Sequence, residues 1–301
     1  MKFGLFGTGW WARDTQGPGL VAAPDAELVG VWGRNPEKAA ALADRLGTEP
    51  WDDADALVEA SEAVSIALPP DVQAPLAARA AERGRHLLLD KPLALDVAAA
   101  DAVAAAVRGS GVTAGVFFTG RYQPAVERAL QDIVDRGSWD GGRATVLVSV
   151  LRPGGVLLES TWRVEHGALW DAAPHAVSPL ITVLGPVVEV VAVEGRRRTV
   201  HLTLRHHDGA VSTITTSLEA AEAAGRWTVE FFGEPGWADL PGWERPGYEA
   251  FALAVTDLVE AVGQGREPRC GLGYAADVLA VQAAGARSLA EGRPVSVTPS
   301  S

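Results

Sequence analysis

The stretch that most narrows what this chain can fold into lies at its start. An apolar strand at 2–6 runs straight into Gly7-Thr8-Gly9-Trp10-Trp11-Ala12. A G-x-G-x-x-A turn between a strand and a helix suits a pyrophosphate. The first glycine makes the tight turn, the second lets backbone approach the phosphates, and the small third residue packs helix on strand. Free N–H groups at the helix start would face those phosphates. The apolar run through Leu20-Val21-Ala22-Ala23 supplies the helix, and Gly17-Pro18-Gly19 is expected to kink, break or delay it. After a second strand at 26–32, Gly33-Arg34 stands where an NAD site carries Asp or Glu for the ribose 2′-hydroxyl. An arginine there accommodates a 2′-phosphate, so NADP is the expected cofactor with NAD possible. The alternative is an ordinary solvated turn arginine.

Helices at 36–46, near 54–60, at 72–83 and at 96–108 alternate with strands at 63–68, 86–89 and 112–118. That alternation predicts an α/β fold whose N-terminal domain, 1–119, is a Rossmann-type doubly wound parallel sheet. Beyond it, 121–136 reads as a helix and Gly137, Gly141 and Gly142 as breaks. Strands follow at 144–151, 187–193, 199–206, 210–218 and 227–232, with a hairpin at His207-Asp208-Gly209. A second α/β domain, 120–301, with a large, mainly antiparallel open sheet is expected. One sheet face would carry helices and the other would be open to subunit contact. Helices near 248–262 and 274–290 close the chain after a Gly/Pro/Trp loop at 233–247, and could pack back on the first domain.

Two places carry chemistry. The strand His86-Leu87-Leu88-Leu89 enters Asp90-Lys91-Pro92, a stiff turn at a strand's carboxyl end, where open α/β sheets bind ligands. Of 26 cationic residues only Lys2, Lys38 and Lys91 are lysines. Lys91 is a candidate active-site cation, or else a surface lysine in a strand-to-helix turn. Asp171 and His175 are four apart and share a face if helical, with Pro174 tolerated when Asp171 lies near the N-cap. Histidine is the natural acid/base near neutral pH, and a carboxylate can orient it. The alternative is a capping aspartate and a structural histidine.

In order along the chain, Gly7–Ala12, Leu68-Pro69-Pro70, Asp90-Lys91-Pro92, Trp162-Arg163 and Asp171-x-x-x-His175 resemble the Gfo/Idh/MocA oxidoreductases, the glucose–fructose oxidoreductase and inositol dehydrogenase-like family. Arg121-Tyr122-Gln123-Pro124 and the tail Ala286-Arg287-Ser288-Leu289-Ala290-Glu291-Gly292-Arg293-Pro294-Val295 match too, so the resemblance spans essentially the whole chain. It implies a nicotinamide and a substrate held between two domains, Lys91 contacting both, His175 as acid/base, and Asp171 orienting it. It also implies Arg163 and the backbone of Leu68, Pro69 and Pro70 beside the nicotinamide. With Gly7, Thr8, Gly9, Trp10, Trp11, Gly33, Arg34 and Asp90, these form the expected cofactor site. The sequence departs from the family's pattern in five places. Asp90 replaces Glu, Leu68-Pro69-Pro70 replaces T-P-N, Gln73 replaces His, His166-Gly167 replaces Gly-Gly, and Ser178 replaces Asp. The changes at 68–70 and 178 remove polar side chains that could read hydroxyls.

The expected activity is hydride transfer between nicotinamide and a CH–OH or C=O carbon of a sugar-like or cyclic polyol substrate. Alternatives are a same-fold reductase of a C=C or C=N bond, or a non-catalytic NADPH-sensing regulator. Net charge of −12 argues against nucleic-acid and anionic-membrane partners, and no apolar run is long enough to span a bilayer. The lone Cys270 excludes an intrachain disulfide and fits a cytoplasmic setting. No metal site is expected, because His201, His206 and His207 lack a spaced partner set. Arg196-Arg197-Arg198 reads as a solvated turn. Trp237 and Trp243 read as loop packing or as pocket walls, and a place for His166 in the pocket stays open. A homodimer or homotetramer through the open sheet face is expected.

Overall fold

The computed structural model describes residues 1–155 and 157–298. The chain forms two compact units, 1–123 with 244–275, and 124–243 with the chain from Ala276 onward.

The first unit holds strands β1 (Lys2–Phe6), β2 (Glu27–Trp32), β3 (Pro50–Trp51), β4 (Ala63–Ile66), β5 (His86–Asp90) and β6 (Ala114–Phe117). They pair in parallel in the order β3-β2-β1-β4-β5-β6. The order reverses between β1 and β4, and a crevice opens at the carboxyl ends at such a point. Strands β4 and β5 are apolar without alternation because both faces are covered. The covering helices are α1 (Gly17–Ala22), α2 (Pro36–Leu46), α3 (Ala54–Ala60), α4 (Pro70–Glu82) and α5 (Val97–Ser110). The glycine/proline stretch does not break the first helix. The segment Ala12–Gln16 widens to a π-helix, with Gly17 N donating to Ala12 O, and α1 follows directly. Pro18 has no N–H for an i→i−4 bond, and a wider turn ahead of it lets the helix continue.

Helix α9 (Gly247–Gln264) belongs to this first unit, and the residues resembling the family's R-Y-Q-P motif hold the returning segment. Tyr122 Oη donates to Asp257 Oδ2 (3.1 Å), and Arg121 Nη1 donates to Tyr274 Oη (2.8 Å). Gln123 donates to Arg245 O and accepts from Arg245 N. Burial pushes the Tyr122 phenol well above its usual range, so it acts as a donor. The expected helix at 121–136 is therefore two pieces. A 3₁₀ turn at Thr119–Tyr122 precedes α6 (Pro124–Arg136), which opens on a proline suited to a first helical position.

The second unit is built on a seven-stranded sheet of β7 (Trp139–Leu147), β8 (Val187–Glu194), β9 (Val200–His206), β10 (Val211–Ser217), β11 (Arg226–Gly233), β12 (Gly236–Asp239) and β13 (Val295–Ser296). The order is β12-β11-β7-β10-β9-β8-β13, and every pair is antiparallel except β10 with β7. Gly141 and Gly142 lie inside β7 rather than breaking the chain. A Cβ on Gly141 would meet Val211 O at 2.3 Å, and one on Gly142 would meet Leu180 at 2.9 Å, so bare backbone is what lets neighbours close on it. In the β9–β10 turn Gly209 takes a positive φ (92°) and Asp208 does not. Gly209 N donates to His206 O and His206 N to Ala210 O, a three-residue loop. The loop expected at 233–247 contains β12.

Strand β9 alternates strictly, with Leu202 and Leu204 buried and His201, Thr203 and Arg205 exposed. The inner face of the sheet is covered by α7 (Thr161–Asp171), which packs on β10, and α8 (Ala173–Leu184), which packs on β7 and β10. Helix α10 (Leu272–Glu291) begins in the first unit and continues in the second. There Gln282 donates to the Leu169 and Trp170 carbonyls, and Ser288 Oγ accepts from Ala192 N.

Candidate active site

On the first unit's sheet, the segments after β1, β2, β4 and β5 all leave from the carboxyl edge. The turn after β1 begins at Gly7, whose φ is 131° and whose added Cβ would stand 2.4 Å from Ala67 O. Only glycine fits there. Gly9 is exposed and a Cβ on it would meet nothing within 4 Å, so its bare face opens to free space. The first helical bond runs from Arg13 N to Gly9 O (3.0 Å), which leaves the amides of Trp10, Trp11 and Ala12 at the head of the helix. Ala12 is fully buried. Trp10 and Trp11 lie with ring centroids 5.3 Å apart, and Trp11 reaches Phe117 at 6.3 Å. Gly33 lies against Thr8, where a Cβ would meet Thr8 Cγ2 at 2.5 Å. Arg34 beside it is exposed, and Asn35 caps α2 by accepting from Lys38 N. Leu68 and Pro69 are half-buried, and Pro69 O accepts from Gln73 N at the start of α4.

Asp90 and Lys91 are buried, at 9% and 8% exposure, and the Lys91–Pro92 peptide is cis. The turn is held by Gln73, itself 1% exposed. Gln73 Nε2 donates to the carbonyls of Asp90 (2.9 Å), Pro92 (3.1 Å) and Leu93 (3.3 Å), and its Oε1 accepts from Asp90 N (2.9 Å). On the other side, Gln16 from the π-helical segment donates to Asp90 Oδ2 and to Ile66 O, both at 3.3 Å, and accepts from Ser65 Oγ (2.7 Å). Two buried amides thus tie the turn that carries Lys91 to β4, to α4 and to the helix after the glycine turn. Neither role is visible in the sequence. Gln73 stood out only as a departure from a frequent histidine, and Gln16 not at all.

In the second unit, Asp171 ends α7 and His175 lies in the first turn of α8, with Ala172 at the junction. The chain reaches Asp171 past a break at Gly167 (φ 66°, ψ −159°), where a Cβ would stand 3.0 Å from Arg198 Nη2. Arg198 donates to the carbonyls of Val164 and Glu165 ahead of that break. The triple arginine is therefore not simply a solvated turn, because its last member holds α7. The Asp171 carboxylate pairs with Arg163 Nε at 3.2 Å, and the Arg163 guanidinium lies 4.4 Å from the Trp162 ring centroid and donates to Ser160 Oγ. His175 is half-buried and flanked by two indoles, Trp227 at 5.4 Å and Trp243 at 5.5 Å between ring centroids. His166 lies edge-on to Trp170 at 6.2 Å. Trp237 packs on Phe232 beneath Arg143, on the outer sheet face.

His86, His201 and His206 have structural partners, His86 Nδ1 accepting from Thr113 N. His206 Nδ1 faces Gly185 O (2.7 Å), its Nε2 faces Ser212 Oγ (2.8 Å), and His201 Nδ1 faces Thr215 Oγ1. Among the described residues no group of three or more His, Cys, Asp or Glu side chains is arranged to hold a metal.

Residues 1–118 match the profile of the oxidoreductase family with an NAD-binding Rossmann fold, and residues 128–239 match the GFO/IDH/MocA C-terminal domain. The chain belongs to the Gfo/Idh/MocA oxidoreductase family. This Gfo/Idh/MocA protein is 33% identical to D-xylose 1-dehydrogenase (NADP(+)) 2 of Haloferax volcanii, over 74% of its own chain and 71% of that one. It is 27% identical to dTDP-3,4-didehydro-2,6-dideoxy-alpha-D-glucose 3-reductase of Streptomyces antibioticus, over 86% and 83%. In fold it is similar to UDP-N-acetylglucosamine 3-dehydrogenase GnnA of Acidithiobacillus ferrooxidans (TM-score 0.82, 20% identity, 96% and 97% of the two chains). It is an NAD(P)-dependent oxidoreductase acting on a polar carbon substrate. The glycine turn fits a dinucleotide on its own geometry. Gly7 turns where a side chain cannot, Gly9 leaves open the space a Cβ would fill, and amides head the helix behind it.

Proposed function

We propose that this protein transfers hydride between NADP and a CH–OH or C=O carbon of a sugar-like substrate, with Lys91 and His175 as its reacting side chains. The observation that carries this reading is a buried lysine at the carboxyl end of β5, on the edge that presents the glycine turn, in a loop clamped by Gln73 and Gln16. A fixed ammonium stabilises negative charge developing on an alcohol oxygen, and preorganised charge of this kind is among the largest catalytic effects. His175 accepts the hydroxyl proton as the carbonyl forms and returns it in reduction. Asp171, paired with Arg163, ends the helix ahead of His175 and sets where the imidazole stands. The bound nicotinamide would supply or take the hydride, while the protein gives position and electrostatics. The glycine turn with Thr8, Trp10 and Trp11 would hold the pyrophosphate side, and Leu68, Pro69, Pro70, Asp90 and Arg163 the nicotinamide side. The named activities of the xylose dehydrogenase and deoxysugar reductase relatives support a sugar or sugar-nucleotide substrate.

NADP is preferred because Gly33-Arg34 offers a cation and no carboxylate at the 2′ position, and Arg34 is exposed to meet it. The outer sheet face, with His201, Thr203, Arg205 and Thr213 exposed, is the surface for a second copy.

Titration of tryptophan fluorescence with NADPH and NADH, on the parent and on Arg34→Ala, tests the cofactor half. NADPH preferred, with the preference narrowed in Arg34→Ala, supports it; NADH preferred refutes the Arg34 argument, and binding of neither refutes the dinucleotide site. For the chemistry, Lys91→Met and His175→Ala should each lower kcat by about 10²- to 10³-fold on a keto-sugar panel while leaving NADPH affinity intact. Unchanged turnover in either variant removes that residue from the mechanism.

A further inference from the structure

His175 stands beside two indoles of its own unit. Trp227 begins the inward face of β11, where its ladder partner Val146 is fully buried, and Trp243 follows β12 at the end of the same unit's chain segment. The two indoles meet edge-to-face at 4.5 Å and each holds the His175 ring within 5.5 Å. Yet Trp227 is 38% exposed and Trp243 is 40% exposed. An indole pair normally hides its faces, because aromatic rings carry the largest apolar areas of any side chains. Two indoles left more than a third exposed beside an imidazole make a wall for a ligand with an apolar face of its own.

We propose that Trp227 and Trp243 form an aromatic platform that selects a pyranose presenting a deoxygenated, C–H-rich face to His175, over a fully hydroxylated polyol. The proposal rests on the sugar oxidoreductase reading and deepens it by naming the substrate class. Ring C–H bonds lie flat on indole faces, whereas a hydroxyl turned into the wall would lose its water without a partner. The rest of α8 reinforces this choice. Ser178, one turn beyond His175, is buried, so the helix sends no carboxylate from that position to read a hydroxyl. The platform residues position substrate and take no part in proton transfer, so they act on KM and on discrimination rather than on the chemical step.

The test uses the full protein with NADPH and two probes, a 2,6-dideoxy-hexopyranosidulose and its fully hydroxylated counterpart, followed by nicotinamide absorbance. The variants are Trp227→Leu, Trp243→Leu and, to keep a ring, Trp227→Phe. The parent should favour the dideoxy probe in kcat/KM. Each leucine variant should raise KM for that probe about tenfold, shrink the preference by the same factor, and leave kcat and NADPH affinity within about threefold; Trp227→Phe should recover most of the loss. If the leucine variants keep the parent's preference, the platform is overturned while the oxidoreductase reading stands. If the parent reduces neither pyranose although it binds NADPH, the sugar reading fails and takes the platform with it.

Discussion

Replacing Gln73 by leucine keeps the side chain's size and removes every polar contact that Gln73 makes to the Lys91 turn. In the native chain one amide donates to three carbonyls and accepts from the Asp90 amide, inside a site 1% exposed. A carboxamide has two N–H donors, so the three donor contacts are worth at most two full hydrogen bonds. Leucine would strand one buried N–H and under-satisfy the carbonyls. Carbonyls tolerate this better than an N–H, and a stranded buried donor costs about 1–3 kcal/mol. Taking about 2 kcal/mol as the local loss, the turn should open roughly thirtyfold more often. Hydrogen exchange resolved at the Asp90 amide reads this directly, because its native acceptor is Gln73 Oε1 itself. Exchange about thirtyfold faster at Asp90, a kcat reduced with the displaced ammonium, and an unaltered rate in β9 are the expected results. Gln73→His, which restores one donor and one acceptor, should recover part of the protection. Asp90 exchange within twofold of the parent in Gln73→Leu would refute the clamp, whatever the activity did.

Two further outcomes follow from the same geometry. Burial lowers the pKa of His206 and of His86, and each ring accepts or donates as a neutral imidazole, His86 Nδ1 from Thr113 N and His206 between Gly185 and Ser212. The unfolded chain therefore takes up protons first, so stability should hold above about pH 6.5 and fall as pH drops from there toward the folded values. Thermal melts across that window check it, and a His206→Leu variant should show a flatter dependence; a melting temperature that rises on acidification would contradict the sign. Gly19→Ala would put a Cβ 2.8 Å from Tyr248 O and from Phe251, forcing α1 off α9 at a cost of about 1–3 kcal/mol. An unchanged urea midpoint would show that this close approach is not needed.

The chain's own order of residues determined a good deal. Strand and helix periods, with a glycine turn at the first strand's end, were enough for a parallel Rossmann sheet, since each rests on local chemistry repeated along the chain. The spacing of Asp171 and His175 around a proline likewise marked the start of α8. The π-helical turn and the continuity of β7 through Gly141-Gly142 were out of reach, because each depends on a neighbour remote in sequence, α9 on Gly19 and Leu180 on Gly142; a return of the closing helices to the first domain was among the expectations, but not the contacts that hold 244–275 there, such as Asp257 on Tyr122. The site divides the same way. Lys91 and His175, the side chains proposed to react, could be singled out from their residue type and motif. Gln16, Gln73 and Trp227 could not, because an amide or an indole acquires a role only from what folding sets against it. Hydrogen bonds across 74 residues from Gln16 to Asp90, and ring contact between a strand and the first turn of α8, are properties of packing, and tertiary structure alone decided them.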